Sequence, residues 1–467
     1  MQERFTLEEI IRTVQGKLMS GGKAHLSIPP EKICTDTRKL KEGELFIALV
    51  GEHFDGHSFV KEAWKKGACG AIVAKPVTPP SPSFPIIKVE NTLYALQELA
   101  KFHRRRLPSS IIVGITGSNG KTTVKEMSFE ILSRKYHVLK SEGNFNNQIG
   151  VPLSLLKLCP HHQIAVLEMG MNLSGEIARL AEIIQPDVGL ITNIHRSHIG
   201  PLGSIEAIKE AKAEFIPYLN ERENSCLVLN GDDHKVRDLR KRASCRVITF
   251  GVRSDCDVKA EDVQDHGERM SFTLSYEKEK ISVELPIPGR HNIYNALASS
   301  AVAIILKVPL ELIAQALSGF RLPPSRCQII KLGKYKLIND SYNANPESMK
   351  EALNLLSKLG GRRKIAILGD MLELGKQARA AHREVGEKAG KIGIDALYVL
   401  GEFSREVEEG AKEMGMKEVF SFNDKDELVD ELISYLKEGD CLLVKGSRKM
   451  KMEEIVEKLK ESLCSVG

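Results

Sequence analysis

The residues best equipped for chemistry are Gly117, Ser118, Asn119, Gly120, Lys121, Thr122 and Thr123. The apolar, β-rich run Ile111 to Thr116 leads into them, and a stretch of helical periodicity, VKEMSFEILSRKY, follows. Strand, glycine-rich loop closed by Lys-Thr, then helix is the order of a nucleotide triphosphate cradle. Glycines let backbone N–H groups close on phosphates, and the helix N-terminus adds partial positive charge. Lys121 is placed to reach the β- and γ-phosphates, and Thr122 to offer its hydroxyl to Mg²⁺. The usual pattern puts a glycine five residues before Gly120, where this chain has Ile115, so the loop is a variant form. A glycine-rich turn with an exposed lysine is the bland alternative, and the flanking strand and helix argue against it.

Further polar groups fall at the ends of apolar runs. Glu168 ends IAVLE, where a carboxylate would face Mg²⁺ beside such a cradle; a capping or ion-paired glutamate is the alternative. His195 and His198 follow VGLITNI as metal-ligand or structural imidazoles. Lys212 lies in SIEAIKEAKAEFIPYL, read as one helix with Ile205, Ile208, Phe215 and Leu219 inward. A lysine so near an apolar stripe either snorkels or is paired or modified. The segment Gly143 to Gln148 (GNFNNQ) is dense in amides that recognise peptide or sugar groups or merely build turns. Gly289 to Asn295 (GRHNIYN) opens a helix with an imidazole and amides suited to a purine, although asparagine also caps helices. Asn339 to Pro346 (NDSYNANP) ends a strand as a ligand-binding edge, with Asp340 for a ribose hydroxyl and Tyr342, Asn343 and Asn345 toward substrate.

Positioning these groups takes more than one core. At ~100–200 residues per domain, 467 residues imply three. The first, 1–107, holds a short helix, brief strands, a proline-rich loop at 75–85 and a helix from Thr92 to Arg106. The second, 108–322, alternates strands and helices, as a parallel sheet covered on both faces requires. It carries an antiparallel addition between Asp257 and Pro288 and ends in the linker RLPPSR. The third, 323–467, repeats the alternation through KLIND, KIAILGD, ALYVLG and CLLVKGS. The fold class is therefore α/β, with a P-loop doubly wound domain between a small mixed domain and a Rossmann-like one.

Lys and Arg total 67 against 62 Asp and Glu, a net charge of +5. This suits anionic small molecules and gives no nucleic-acid stripe or membrane patch. The run Lys101 to Arg106 (KFHRRR) is a phosphate patch or the solvated end of a helix. Nine scattered cysteines without CxxC spacing read as reduced thiols. With no leader and no long apolar run, the expectation is a cytoplasmic monomer.

Taken together, TGSNGKTT, GNFNNQIGVP, VLEMGMN, TNIHRSHIGPLGS, EAKAEF, PGRHNIYNALA, NDSYNANPESM, GDMLELG and LLVKGSRKM resemble the Mur ligases in order and spacing. CTDTRKLKEGELFIALVGEHFDGHSF resembles that family's UDP-binding domain, so the likeness spans the chain. DSYNANP, GDMLELG and KGSRKM resemble the dipeptide-adding member. The resemblance implies an ATP-dependent acid–D-amino-acid ligase of peptidoglycan precursor synthesis that adds D-Ala-D-Ala to UDP-MurNAc-tripeptide through an acyl phosphate. It implies two Mg²⁺ ions, with Thr122, Glu168, His198 and a carbamylated Lys212 as ligands. It assigns Lys121 to the phosphates and His291, Asn292 and Asn295 to adenine. Arg326 and Asp340 would meet the nucleotide on closure. Thr37, Arg38, Asp55, Gly56 and His57 would hold the UDP-sugar, with Thr37 where serine is common. Asn144, Asn146 and Asn147 would contact the muramoyl-peptide. Lys445, Ser447 and Arg448, after the last strand, either bind the dipeptide carboxylate or form a basic helix start. A ligase adding a single amino acid, folylpolyglutamate synthetase and an ATP-switched regulatory protein are the rival readings.

Overall fold

The computed structural model describes residues 4–21, 26–51, 54–253 and 255–464. Its centre is a nine-stranded sheet. In spatial order the strands are Val138–Lys140, Ile164–Glu168, Ile111–Thr116, Val188–Ile191, Cys226–Asn230, Arg246–Gly251, Val258–Asp265, Met270–Tyr276 and Glu279–Leu285. The first seven are parallel and the last two antiparallel, as the alternating segment before Pro288 predicts. Strand neighbours bury side chains on opposite faces: Ile112 and Leu167 join one core, Val113 and Val166 the other. The chain winds to one side of Ile111–Thr116 and then crosses to the other. A crevice at the C-terminal end of such a strand is where open α/β sheets take ligands.

The first domain carries a five-stranded sheet in the order Lys17–Ser20, Ile86–Lys88, Gly70–Val73, Leu45–Ile47, Ile33–Cys34, with only Lys17–Ser20 antiparallel. The third carries six strands: Gln328–Leu332, Tyr335–Asp340, Cys441–Lys445, Lys364–Gly369, Ala396–Leu400 and Val419–Phe422. Gln328–Leu332 is an antiparallel edge that the sequence pattern did not reveal. Among the described residues no helix is long and apolar enough to cross a membrane, and eight cysteines carry free thiols.

Two expectations change. The helix expected across Ile205 to Leu219 is two helices, Ile205–Ala213 and Ile216–Asn220. Pro217 sits in the first turn of the second, where its missing N–H costs nothing, and cannot continue the first. The basic run at Lys101 to Arg106 is neither a phosphate patch nor simply solvated. Arg104 is 1% exposed and donates to Ile184 O (3.0 Å), Leu107 O (2.7 Å) and Asp187 Oδ2 (3.2 Å). Together with Arg179–Glu98 at 2.8 Å, it bolts the helix Thr92–Arg106 to the middle domain. Arg104→Ala is expected to cost about 3 kcal/mol, since buried acceptors lose their donor. Arg104→Lys should recover only part, because one ammonium cannot serve three fanned acceptors. A urea midpoint equal to wild type for Arg104→Ala would refute this role.

Candidate active site

The loop after Ile111–Thr116 has the backbone that phosphate binding needs. Gly117 has φ 144° and Gly120 φ 82°. A Cβ at Gly117 would lie 1.9 Å from Thr192 Oγ1, and one at Gly120 2.3 Å from Asn295 Oδ1. Only glycine fits either position. The helix Lys121–Leu132 begins immediately and points its free N–H groups at the loop. Lys121 Nζ is folded back on Gly117 O (2.9 Å) and Ser118 O (3.2 Å).

The loop is clamped by the end of the neighbouring strand. Ser118 N donates to Asn193 O at 2.9 Å, Asn119 N to Asn193 Oδ1 at 2.8 Å, and Thr192 Oγ1 to Asn119 O at 2.6 Å. His195 contributes backbone: its N–H donates to Ser118 Oγ at 2.9 Å. Thr192 and Asn193 were missed by sequence reasoning, although they occupy the same strand-end position that singled out Glu168. Asn230 and Asp233 were missed likewise; they hold Thr192 O (3.0 Å) and Ile194 N (2.9 Å).

Glu168 is buried at the tip of its strand. Its Oε2 accepts from Thr122 Oγ1 (2.8 Å) and its Oε1 from Asn146 Nδ2 (2.8 Å). A buried hydroxyl and a buried carboxylate at the mouth of the cradle are hard oxygen donors, the set that fits Mg²⁺. The amide-rich loop is pinned from below by Lys125, fully buried, whose Nζ donates to Ser141 O (2.8 Å) and Gly143 O (3.2 Å). Asn147 Oδ1 accepts from Gly150 N (2.8 Å), and Asn144 opens on a smaller adjoining cavity.

Lys212 does not snorkel. It is 2% exposed, beneath the loop, with Nζ on Gly117 O at 3.0 Å. Burial, and then the Lys121 charge, push its amine well below the usual lysine range. Burial likewise lowers Lys121, against Glu168. A neutral buried amine is a nucleophile for CO₂, and a carbamate keeps one N–H for Gly117 O, so the position fits that modification.

The third domain closes the site from the other side. Arg326 Nη2 donates to Thr122 Oγ1 (2.9 Å) and its guanidinium stacks on Tyr342, 3.9 Å from the ring centroid. Ser325 and Cys327, on either side, have φ of 60° and 49°, a left-handed pair that throws Arg326 across the junction. Asn345 caps the helix Pro346–Lys358 and its Nδ2 donates to Asn119 Oδ1 at 2.6 Å. Register pairs Asp340 with Lys445, and Lys445 Nζ donates to Asp340 Oδ2 at 2.6 Å and to Asn343 O at 2.9 Å. Ser447 Oγ accepts from Leu372 N (2.8 Å), while Arg448 turns to Glu453 (2.7 Å). His291 is forced toward its neutral form by burial, and Asn295 Nδ2 donates to Asn292 Oδ1 at 2.9 Å.

At the seam, His198 has φ 55° and its Nδ1 lies 2.6 Å from Glu373 Oε2. Arg196 pairs with Glu347 (3.0 Å) and Glu384 (2.7 Å). The pairing holds the Glu384 carboxyl down to about 2, so this bridge is intact at neutral pH and is lost as pH falls from about 4.5 through about 2. Arg196, Glu347, Glu373 and Glu384 were also missed; a charge pair between domains leaves no local pattern.

These groups surround one cavity of about 1240 Å³ between the middle and third domains. Ser118 to Thr123, Asn146, Asn147, Glu168, His195, His198, His291, Asn292, Asn295, Arg326, Asp340, Tyr342, Asn343, Asn345, Lys445, Ser447 and Arg448 all line it. Gly117 and Lys212 lie beneath the loop and Asn144 on the adjoining cavity, and five further expected residues are remote from it. Thr37, Arg38, Asp55, Gly56 and His57 lie in the first domain. There Arg38 forks onto Asp36, and His57 Nε2 accepts from Ala74 N at 2.8 Å. That acceptor role puts the His57 proton on Nδ1, which faces Asp55 Oδ1 at 2.5 Å. Lys75 and then His57 hold the Asp55 carboxyl well below its usual range. Gly56 is needed there: a Cβ would lie 2.6 Å from Leu49 O.

Family models match along the chain: "Mur ligase family, catalytic domain" at 31–104, "Mur ligase middle domain" at 115–303 and "Mur ligase, glutamate ligase domain" at 325–448. The UDP-N-acetylmuramoyl-tripeptide–D-alanyl-D-alanine ligase of Bacillus subtilis is 39% identical over 98% of this chain and 99% of its own. The crystal structure of MurF from Acinetobacter baumannii superposes with a TM-score of 0.90 at 32% identity, covering 98% of this chain and 99% of that one. That of MurF ligase from Thermotoga maritima in complex with ADP gives 0.81 at 29%, covering 93% and 98%.

Proposed function

The chain belongs to the Mur ligase family, and we propose that it joins D-Ala-D-Ala to UDP-MurNAc-tripeptide at the expense of ATP, in peptidoglycan precursor synthesis in the cytoplasm. One observation carries the reading: the phosphate cradle and the NDSYNANP edge face each other across a single cavity, bridged by Asn119–Asn345 and Arg326–Thr122.

A free carboxylate is a poor acylating agent, so the peptide carboxylate oxygen first takes the γ-phosphoryl group of ATP, the β,γ-bridging P–O bond breaks and ADP is released. The cradle N–H groups and Lys121 hold the triphosphate, and Lys121 exchanges its loop carbonyls for phosphate oxygens. Thr122, Glu168, His198 and a carbamylated Lys212 would hold Mg²⁺, which neutralises charge gathered on the phosphoryl oxygens. His291, Asn292 and Asn295 take the adenine end, and Asp340 the ribose. Asn144, Asn146 and Asn147 orient the muramoyl-peptide, whose UDP end rests on Thr37, Arg38, Asp55, Gly56 and His57. The neutral dipeptide amine then attacks the acyl carbon, the tetrahedral oxyanion loses the extra N–H proton to solvent and collapses with cleavage of the acyl C–O bond, and inorganic phosphate leaves. Arg326 and the third-domain edge, with Tyr342, Asn343, Lys445, Ser447 and Arg448 toward the dipeptide, exclude the water that would hydrolyse the intermediate.

Phosphate release with ATP and UDP-MurNAc-tripeptide tests this. Release that depends on D-Ala-D-Ala is the expected result. Release driven equally by single amino acids would shift the reading to another ligase of the family, and none with any acceptor would leave only nucleotide binding.

A further inference from the structure

We propose that Cys159, His161 and His162 form a site for a thiophilic divalent cation, zinc foremost, at the edge of the middle sheet opposite the nucleotide cradle. The three stand in the turn that enters the strand Ile164–Glu168 at its N-terminal end, whereas the cavity lies at the C-terminal ends. Cys159 Sγ is 3.3 Å from His161 Nδ1 and 3.0 Å from His162 Nδ1. One ligand atom from each residue lies within 4.8 Å of the other two. Tetrahedral zinc with Zn–S about 2.3 Å and Zn–N about 2.0 Å separates sulfur from nitrogen by about 3.5 Å, so small side-chain rotations close the set. A thiolate with two imidazoles selects zinc, cobalt or copper over Mg²⁺.

The turn is already ordered. His162 N donates to Cys159 O at 2.9 Å, Ser110 Oγ to His162 O at 2.8 Å, and His103 Nε2 meets Leu158 O at 2.6 Å. The His161 and His162 rings lie 4.2 Å apart, and His137 stands edge-on to His161 at 6.3 Å. His161 is exposed and the other two half-buried, so an ion enters from solvent. Binding breaks the Cys159 S–H bond, forms the sulfur–metal bond and releases the proton to solvent. It also takes His162 Nδ1 from Cys159 N–H, a long contact of 3.2 Å.

Titrating Co²⁺ into the metal-free full-length protein tests the site. One equivalent should give tetrahedral visible bands and a near-ultraviolet thiolate-to-cobalt band, both abolished by stoichiometric zinc. Cys159→Ser should remove the near-ultraviolet band with unchanged circular dichroism and unchanged dipeptide-dependent phosphate release. His161→Ala or His162→Ala should weaken cobalt binding at least about tenfold, the loss that outer-shell partners alone produce. Absence of the near-ultraviolet band overturns the proposal. So does a band that survives Cys159→Ser, since Cys327 lies 3.9 Å from His291 and would then be its source.

Discussion

Replacing Lys212 with methionine is expected to lower kcat for dipeptide-dependent phosphate release by about 10²–10³-fold, the usual cost of one electrostatic stabiliser, while making the protein harder to unfold. The two effects have one cause. Lys212 is buried with a backbone carbonyl as its hydrogen-bond partner, and the charge that acts on it is the like charge of Lys121. Among the described residues no carboxylate answers it, so the bare amine is a liability to folding. Methionine fills the same space without the polar tip.

Lys212→Ala separates the two chemical roles open to the residue. It leaves a void beneath the loop at Gly117. If the working form is a carbamate, a small carboxylate such as acetate should enter and restore part of the rate. If the working form is an ammonium, methylamine should do so instead, and the carbamate assignment is then wrong. Unfolding curves of the methionine variant report independently of activity. A midpoint lower than wild type would mean that the amine stabilises the fold, against the burial argument.

The contrast between Lys212 and its surroundings shows what a linear pattern carries. The cradle was legible because strand, loop and helix are consecutive and glycine is demanded locally, at Gly117 and Gly120. Glu168 was legible because a strand end is a local feature. Periodicity put Lys212 only near an apolar stripe, and a snorkelling lysine obeys the same spacing; its burial depends on the loop 95 residues away. The proline at 217 was visible, yet the apolar spacing ran through it and concealed the helix break. Arg104 was hidden by its charged neighbours, since its acceptors at Ile184 and Asp187 belong to another domain. Resemblance alone supplied the residues proposed for the UDP end in the first domain, where neither composition nor spacing marks a site. Contacts between domains, such as Arg196 with Glu384, have no sequence signal short of the fold itself.

Gly200→Ala is expected to reduce kcat/KM for the ligation by about 10²-fold while leaving the phosphate contacts of the middle-domain cradle in place, so that nucleotide affinity falls far less than turnover. Gly200 and Gly375 meet backbone to backbone across the seam. Gly200 N donates to Glu373 O at 2.8 Å. A Cβ on Gly200 would stand 2.8 Å from Glu373 O and 2.9 Å from Gly375 N. Both obstacles are main chain, so no rotamer relieves them; the third domain has to back away. His198 and Glu373 are both left-handed at this contact, with their side chains 2.6 Å apart, so the retreat also withdraws the carboxylate that orients the imidazole. A displacement of about 1 Å at a reacting centre costs about 10² in rate. The cradle, clamped by Thr192 and Asn193 within its own domain, does not feel the change. Solution scattering should show a larger radius of gyration for the variant in the presence of nucleotide and peptide substrate. Wild-type turnover with wild-type scattering would mean that the seam tolerates a methyl group and does not set the closed geometry.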